Sequence, residues 1–278
     1  MILLADSGST KTVWALVDSN GTKFFRTGGI NPYFSTSKEI TDLLKNELTI
    51  DHSIDFVHFY GAGCTPEKAS TVAVALMEYF KTDAVEVESD LLAAAHSLCK
   101  DGEGIACILG TGSNSCYYDR KNIVKNIPSL GYVLGDEGSG SHLGKKFLSG
   151  ILKSLLPYPI IQDFKNTYQL NMEEIINSVY CKAFPNRFMA KFAPFMLKHI
   201  NNPEIRELVE SCFDEFISRN VLQYEKAYSV PVHFTGNIAF NFKENLQNVL
   251  KKYNLHQGKI TKEPLPELIE YYRKKYLL

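Results

Sequence analysis

The residues that open the chain could do chemistry. An apolar run, ILLA, ends in Asp6, and the bend Gly8-Ser9-Thr10-Lys11 follows before a second apolar run, TVWALV. Much later Ile105–Leu109 ends in a second bend of the same kind, Gly110-Thr111-Gly112-Ser113-Asn114-Ser115. Glycine lets backbone come close to a ligand and aim N–H groups at phosphate oxygens, and serine and threonine add hydroxyl donors without bulk. A carboxylate beside such a bend is placed to hold a divalent cation, mostly through water. The plainer alternatives are ordinary hairpin turns, an Asx-turn acid at Asp6 and an exposed strand lysine at Lys11.

Other nucleotide signatures fail. SGSHLGKK, residues 139–146, approaches a P-loop but has Ser139 at the first glycine position and Lys146 at the last. Gly138-Ser139-Gly140 is followed by Leu143, not glycine, at the third position of a dinucleotide fingerprint.

These bends need strands to carry them. Residues 2–6, 12–18 and 22–27 read as strands, the last after an Asn20-Gly21 hairpin signal. A loop at Gly28-Gly29-Ile30-Asn31-Pro32 precedes a helix over 37–48, a strand over 55–60, a helix over 66–80 and a short strand at 85–87. Asp90 then opens an alanine-rich helix to Cys99. A polar break at 100–104 marks the best domain boundary. Beyond it the pattern restarts, and with Gly8 set over Gly112 the two segments correspond as strand, bend, strand, polar turn, strand. Two related α/β domains follow from that. The remainder predicts helices over 138–156, 172–182, 188–200 and 203–228, a strand over 231–235, a helix over 239–252 and a terminal helix from Pro264. Trp14, mid-strand, reads as core, as does His96; neither His96 nor His142 is given a role.

With 278 residues, 45% hydrophobic and 22% charged, the composition is that of a globular protein with room for two cores. A net charge of −1 gives no pull toward nucleic acid or anionic lipid. MILLADSG is not a signal peptide, and no apolar run is long enough to span a bilayer. Six scattered cysteines without a CxxC pair read as reduced thiols, mostly buried, in the cytoplasm, and argue against structural zinc or a self-contained iron–sulfur site.

Three stretches together carry a family resemblance. DSGSTKT in a hairpin, GTGS in the second bend and HFTGNIAF at 233–240 resemble the phosphate-1, phosphate-2 and adenosine motifs of the sugar kinase, Hsc70 and actin superfamily. GTGSN followed by GDEGSG is similar to the N-acetylglucosamine kinases and to the ATPases of the benzoyl-CoA reductase activator type. The resemblance runs from residue 2 to about 250 and is most specific over 109–140. It implies an actin-like, ribonuclease H-like two-domain α/β fold with a nucleotide and sugar cleft between the domains. The domains expected are 1–102 and 103–262, with a terminal helix, 263–278, packing back on the first.

The resemblance also implies roles. Asp90 matches the general base at the sugar hydroxyl, and a carboxylate at a helix N-terminus stays ionised, although a plain N-cap would also place an acid there. Asn31, Asn114 and Asp136 match sugar-binding positions, with Gly131 a backbone contact. Gly8, Ser9, Thr10, Lys11, Thr111, Gly112 and Ser113 match phosphate contacts, Gly236 and Asn237 adenine contacts, and Asp6 the Mg2+ position. The chain departs from the family in two places. Leu130-Gly131-Tyr132 stands where the animal N-acetylglucosamine kinase has Trp-Gly-His, and the adenosine motif has one glycine where two are common.

An ATP:sugar phosphotransferase acting on an amino sugar with Mg2+ is the first expectation. The substrate expected is N-acetylglucosamine, with glucosamine and N-acetylmuramic acid as alternatives. An ATPase activator that drives electron transfer is the second, and a sugar-sensing regulator the third, although no helix-turn-helix precedes the first strand. The partners are small molecules, with no nucleic acid or membrane. A homodimer would use the helical second half, where no stripe singles out a face.

Overall fold

The computed structural model describes residues 1–8 and 11–276. Two compact units emerge, one of Met1–Asp101 with Glu263–Leu278, the other of Gly102–Lys262.

In the first unit β1 (Ile2–Ser7), β2 (Lys11–Val17), β3 (Thr22–Gly28), β4 (Phe56–Gly61) and β5 (Val85–Ser89) form one sheet in the order β3-β2-β1-β4-β5. β1–β3 are an antiparallel meander, and β1, β4 and β5 run parallel. Helices α1 (Ser37–Glu47) and α2 (Ala69–Phe80) supply the connections into the parallel strands β4 and β5, and α3 (Asp90–Cys99) follows β5. α1 starts at a capping box between Thr36 and Glu39. Leu3, Ala5, Trp14 and Phe59 face the core shared with α1 and α2. Ile2, Leu4, Ala15 and Val17, one residue out of step, face a second core built with the terminal helix, Leu265–Tyr276. That alternation is the period of two expected for strands buried on both faces.

The second unit repeats the plan. Its strands are β6 (Gly104–Leu109), β7 (Ser113–Tyr118), β8 (Ile123–Ile127), β9 (Val232–Thr235) and β10 (Gln257–Thr261), ordered β10-β9-β6-β7-β8. Counted within the unit this is the order of the first sheet, with the same parallel and antiparallel partners. The helices are α4 (Gly131–Leu134), α5 (Gly140–Leu152), α6 (Tyr158–Tyr168), α7 (Met172–Tyr180), α8 (Pro185–Ala190), α9 (Ala193–Lys198), α10 (Pro203–Arg219), α11 (Asn237–Asn241) and α12 (Lys243–Lys252). One large core, with Leu143, Phe147, Phe164, Phe213 and Phe234, joins sheet and helices.

The structure corrects several sequence expectations. The helix expected over 188–200 is two, α8 and α9, because Pro194 cannot continue an i→i−4 ladder. The one expected over 203–228 ends at Arg219. There the chain turns so that buried Tyr224 can reach the sheet, with its hydroxyl 2.8 Å from Ser115 Oγ and accepting from the Ile127 N–H at 3.1 Å. The helix over 239–252 divides into α11 and α12. α6 was not anticipated, since Pro157 and Pro159 make its first turn read as loop. β10 was not either, because it is a polar edge strand with little apolar alternation. Ser113, Asn114 and Ser115 lie in β7, so the second bend is tighter than expected. Among the described residues no helix is long and apolar enough to cross a membrane.

Candidate functional site

In the first unit the parallel strands bring their C-terminal ends to one sheet edge. Ser7 pairs with Gly61, and Gly61 with Ser89. Asp6 and Asp90 flank that edge, where ligands of open α/β sheets bind. The α3 helix is capped by Ser89, whose side chain accepts from Leu92 N–H at 3.2 Å. Asp90 is therefore not the N-cap. Burial pushes its carboxyl pKa up, while the backbone N–H groups of Leu91 and Asp90 pull it down. Burial also raises Asp6, from 3.8 to about 7; the charges of Asp90 and Glu263 add to this and Lys11 works against it. The hairpin beside Asp6 is closed by Gly8 N–H to Lys11 C=O, 3.0 Å. The expected contacts of Ser9 and Thr10 lie outside the described residues.

Two buried hydroxyls with no role in the sequence reading tie a loop to this edge. Ser7 Oγ and Thr12 Oγ1 are 2.8 Å apart. Ser7 Oγ also bonds the backbone of Ile30 twice, at 3.0 Å each, and Thr12 donates to Gly28 C=O. Asn31 is thus held at the edge that carries Asp6. Its Oδ1 accepts from Tyr33 N–H at 2.9 Å, so the residue also makes the plain turn that Asn-Pro suggested, and it lies against Gly63 of the loop after β4. His96 packs behind, its Nδ1 2.9 Å from Tyr60 Oη and its ring stacked on Tyr271. Burial lowers its pKa to about 4, so it stays neutral. Trp14 is core, donating to Thr27 Oγ1.

In the second unit the bend is closed by Gly110 N–H to Gly112 C=O, 2.9 Å. The first residues of α5 clamp it, with Gly140 N–H donating to Gly110 C=O and Ser141 N–H to Thr111 C=O. This explains the spacing of GTGSN to GDEGSG: one motif is the bend, the other the helix start that holds it. Asp136 joins them, its Oδ1 accepting from Ser113 N–H at 3.0 Å while its carboxylate lies where a Gly112 side chain would fall, 2.9 Å away. Burial raises its pKa, and the Ser113 bond opposes this. His142, neutral with a pKa lowered by burial to about 4, accepts from Gly138 N–H through Nδ1 and steadies the same loop. Gly131 opens α4, in the loop whose far side returns through Asp136 N–H to Ser129 C=O.

Asn114 is on the face of β7 opposite Ser113 and Ser115. Its Oδ1 accepts from Asn126 Nδ2 and from the Ser115 N–H, each at 2.9 Å, so its own amide N–H2 points away as a donor. Asn126, which the sequence reading missed, also donates to Ser115 C=O.

Gly236 follows β9 at φ +118, and a Cβ there would stand 2.3 Å from Leu109 C=O, so only glycine lets the turn after β9 lie against the end of β6. A cavity of about 280 Å3 joins that turn to the bend, lined by Gly110 and Thr111 together with Asn237, Ile238 and Asn241. A larger groove of about 710 Å3 lies by α10 and α12, but its Glu210 and Asp214 already hold Asn248 and Lys252, and no expected site residue lines it.

Two five-stranded units of one topology, each with a strand–bend–strand hairpin beside its parallel strands, define the actin-like, ribonuclease H-like two-domain ATPase fold. A Porphyromonas gingivalis protein provisionally named N-acetylglucosamine kinase matches with a TM-score of 0.96 at 45% identity, over 99% of this chain and 100% of that one. A Chromobacterium violaceum protein named in the same way matches with a TM-score of 0.73 at 16% identity, over 97% and 98%. A ROK-family glucokinase from Streptomyces griseus, in complex with glucose and AMPPNP, matches with a TM-score of 0.55 at 12% identity, over 97% of each chain. The last two share the fold. No family model matches the chain, and no curated protein does. On the first match, the chain belongs to the N-acetylglucosamine kinase-like family.

Proposed function

We propose that the protein is an ATP-dependent sugar kinase that phosphorylates a hydroxyl of an amino sugar, N-acetylglucosamine before glucosamine or N-acetylmuramic acid. The observation that carries this is the pair Asp6 and Asp90 at one sheet edge, with Ser89 doing the capping that would otherwise explain Asp90. The choice of an amino sugar is supported by the name of the 45% identical protein.

In this mechanism Asp90 takes the proton of the attacking hydroxyl, a role suited to a carboxyl whose basicity burial raises above that of an ordinary aspartate. Asn31, Asn114 and Asp136 orient the sugar, and alignment of the reacting atoms is a large part of such a rate. Backbone N–H groups of the two bends, with Gly8, Ser9, Thr10, Lys11, Thr111, Gly112 and Ser113, bind the phosphates and balance charge on the transferring group. Gly236 and Asn237 sit at the nucleoside. The local excess of carboxylate charge around Asp6 fits a divalent cation. Among the described residues no three ligands converge, so water and phosphate oxygens would complete its shell. Mg2+, when bound, neutralises phosphate charge there, and Asp6 would hold it through water.

An activator that shares an iron–sulfur cluster between two chains would need accessible thiolates, whereas Cys64, Cys99 and Cys107 are buried. An ADP-release assay with glucosamine, N-acetylglucosamine and N-acetylmuramic acid tests the proposal. ADP formation should rise with one of them; a rate indifferent to all three sinks it.

A further inference from the structure

Close to Asn31 stands a cation that the kinase chemistry leaves unused. The loop after β3 folds back on itself, with the N–H groups of Phe34 and Ser35 donating to Asn31 C=O and that of Tyr33 to Asn31 Oδ1. Asn31 and the Tyr33 ring both close on Gly63, where a Cβ would fall 2.6 Å from Asn31 Oδ1 and 3.0 Å from the ring. Lys68, which leads into α2, holds its Nζ 5.6 Å from the centre of that ring. Ser37 Oγ donates to Thr71 C=O at 2.8 Å, so the start of α1 and the first turn of α2 are tied together around the pair. Tyr33 and Lys68 are exposed, and among the described residues no ion pair engages Lys68.

We propose that Lys68, shelved on Tyr33, reads a carboxylate on the sugar, so that the site takes amino sugars with an acidic side arm as well as neutral ones. The 3-O-lactyl group of N-acetylmuramic acid is such an arm. The assignment rests on the kinase reading, which puts the sugar at Asn31. Three observations carry it. Gly63 touches both the Asn31 amide and the Tyr33 ring, so the cation stands one ring away from the sugar position, within reach of a short acid arm. An aromatic face holds an ammonium group without neutralising it, which leaves the N–H donors of Lys68 for a ligand. Asp6 and Asp90 flank the same sheet edge, and the charges of Asp90 and Glu263 already bear on Asp6. A substrate carboxylate arriving there is repelled unless a fixed cation offsets that field.

ADP-release kinetics on the full chain, with N-acetylmuramic acid and N-acetylglucosamine side by side, test this through the ratio of their kcat/KM values. Lys68→Met should lower the ratio of acidic to neutral sugar about tenfold, the scale of one hydrogen bond to a charged group, and Lys68→Arg should keep it within about threefold of wild type. Raising the ionic strength from about 0.02 M to about 0.3 M should lower the wild-type ratio severalfold and leave that of Lys68→Met flat, because salt screens an exposed pair. A wild type that phosphorylates N-acetylglucosamine but not N-acetylmuramic acid, or a ratio that Lys68→Met leaves unchanged, overturns the carboxylate subsite and leaves the kinase reading standing. No turnover with either sugar or with glucosamine overturns both.

Discussion

Replacing Asp6 by asparagine keeps the shape of the side chain and removes its charge, and the outcome can be worked from its surroundings. The folded chain holds the Asp6 proton up to about pH 7, whereas an unfolded aspartate releases it near 3.8. A carboxyl raised this way favours folding fully below pH 3.8, and that contribution is lost as pH rises through the window to about 7. The difference corresponds to about 4 kcal/mol. Asparagine loses nothing over that range. With EDTA and no nucleotide, Asp6→Asn should therefore gain about 4 kcal/mol on the wild type between pH 4 and pH 8. Urea denaturation followed by tryptophan fluorescence reads this cleanly. Trp14 is the only tryptophan and is fully buried in the first unit, so its signal reports the unit that contains Asp6. A stability difference that stays flat with pH, or a wild type that is the more stable at pH 8, would refute the reasoning. Such a gain on disabling a site is expected where charge is kept in a dry place for ligand rather than for fold.

Asp90→Asn should cut turnover by ~10² or more with ATP and sugar binding retained, and steady-state kinetics with calorimetry would show it; wild-type turnover removes the base. Asn126→Ala removes one of the two donors that hold Asn114 Oδ1, the Ser115 N–H being the other, and should raise the sugar KM by up to about fivefold with kcat little changed, the scale of one neutral hydrogen bond. Gly236→Ala forces a side chain into φ +118 and onto Leu109 C=O, so the thermal transition followed by circular dichroism should fall by the equivalent of ~2 kcal/mol or more.

Much of the architecture was legible because the signals were local. The apolar runs before Asp6 and after Gly104, each broken by a small polar bend, marked both hairpins and their correspondence, while the order of the remaining strands came only with the structure. What the sequence hid depends on distant partners. Tyr224 stops α10 because its hydroxyl belongs to β7 and β8, and nothing in YEKAYS says so. β10 is a polar edge strand with none of its residues fully buried, so no apolar alternation marks it. The site was legible as motifs but not as contacts. That Ser89, not Asp90, caps α3 required backbone geometry, since either residue type caps well. That Asn126 orients Asn114 depends on strand register, and that α9 walls a cavity with α11 depends on packing across sequence-distant helices.

Product identity tests the central claim most directly. Phosphorus NMR of the protein with ATP, Mg2+ and N-acetylglucosamine should show a sugar phosphomonoester growing in step with ADP, and no such signal with Asp90→Asn. ADP accompanied only by inorganic phosphate, with the sugar untouched, would contradict it.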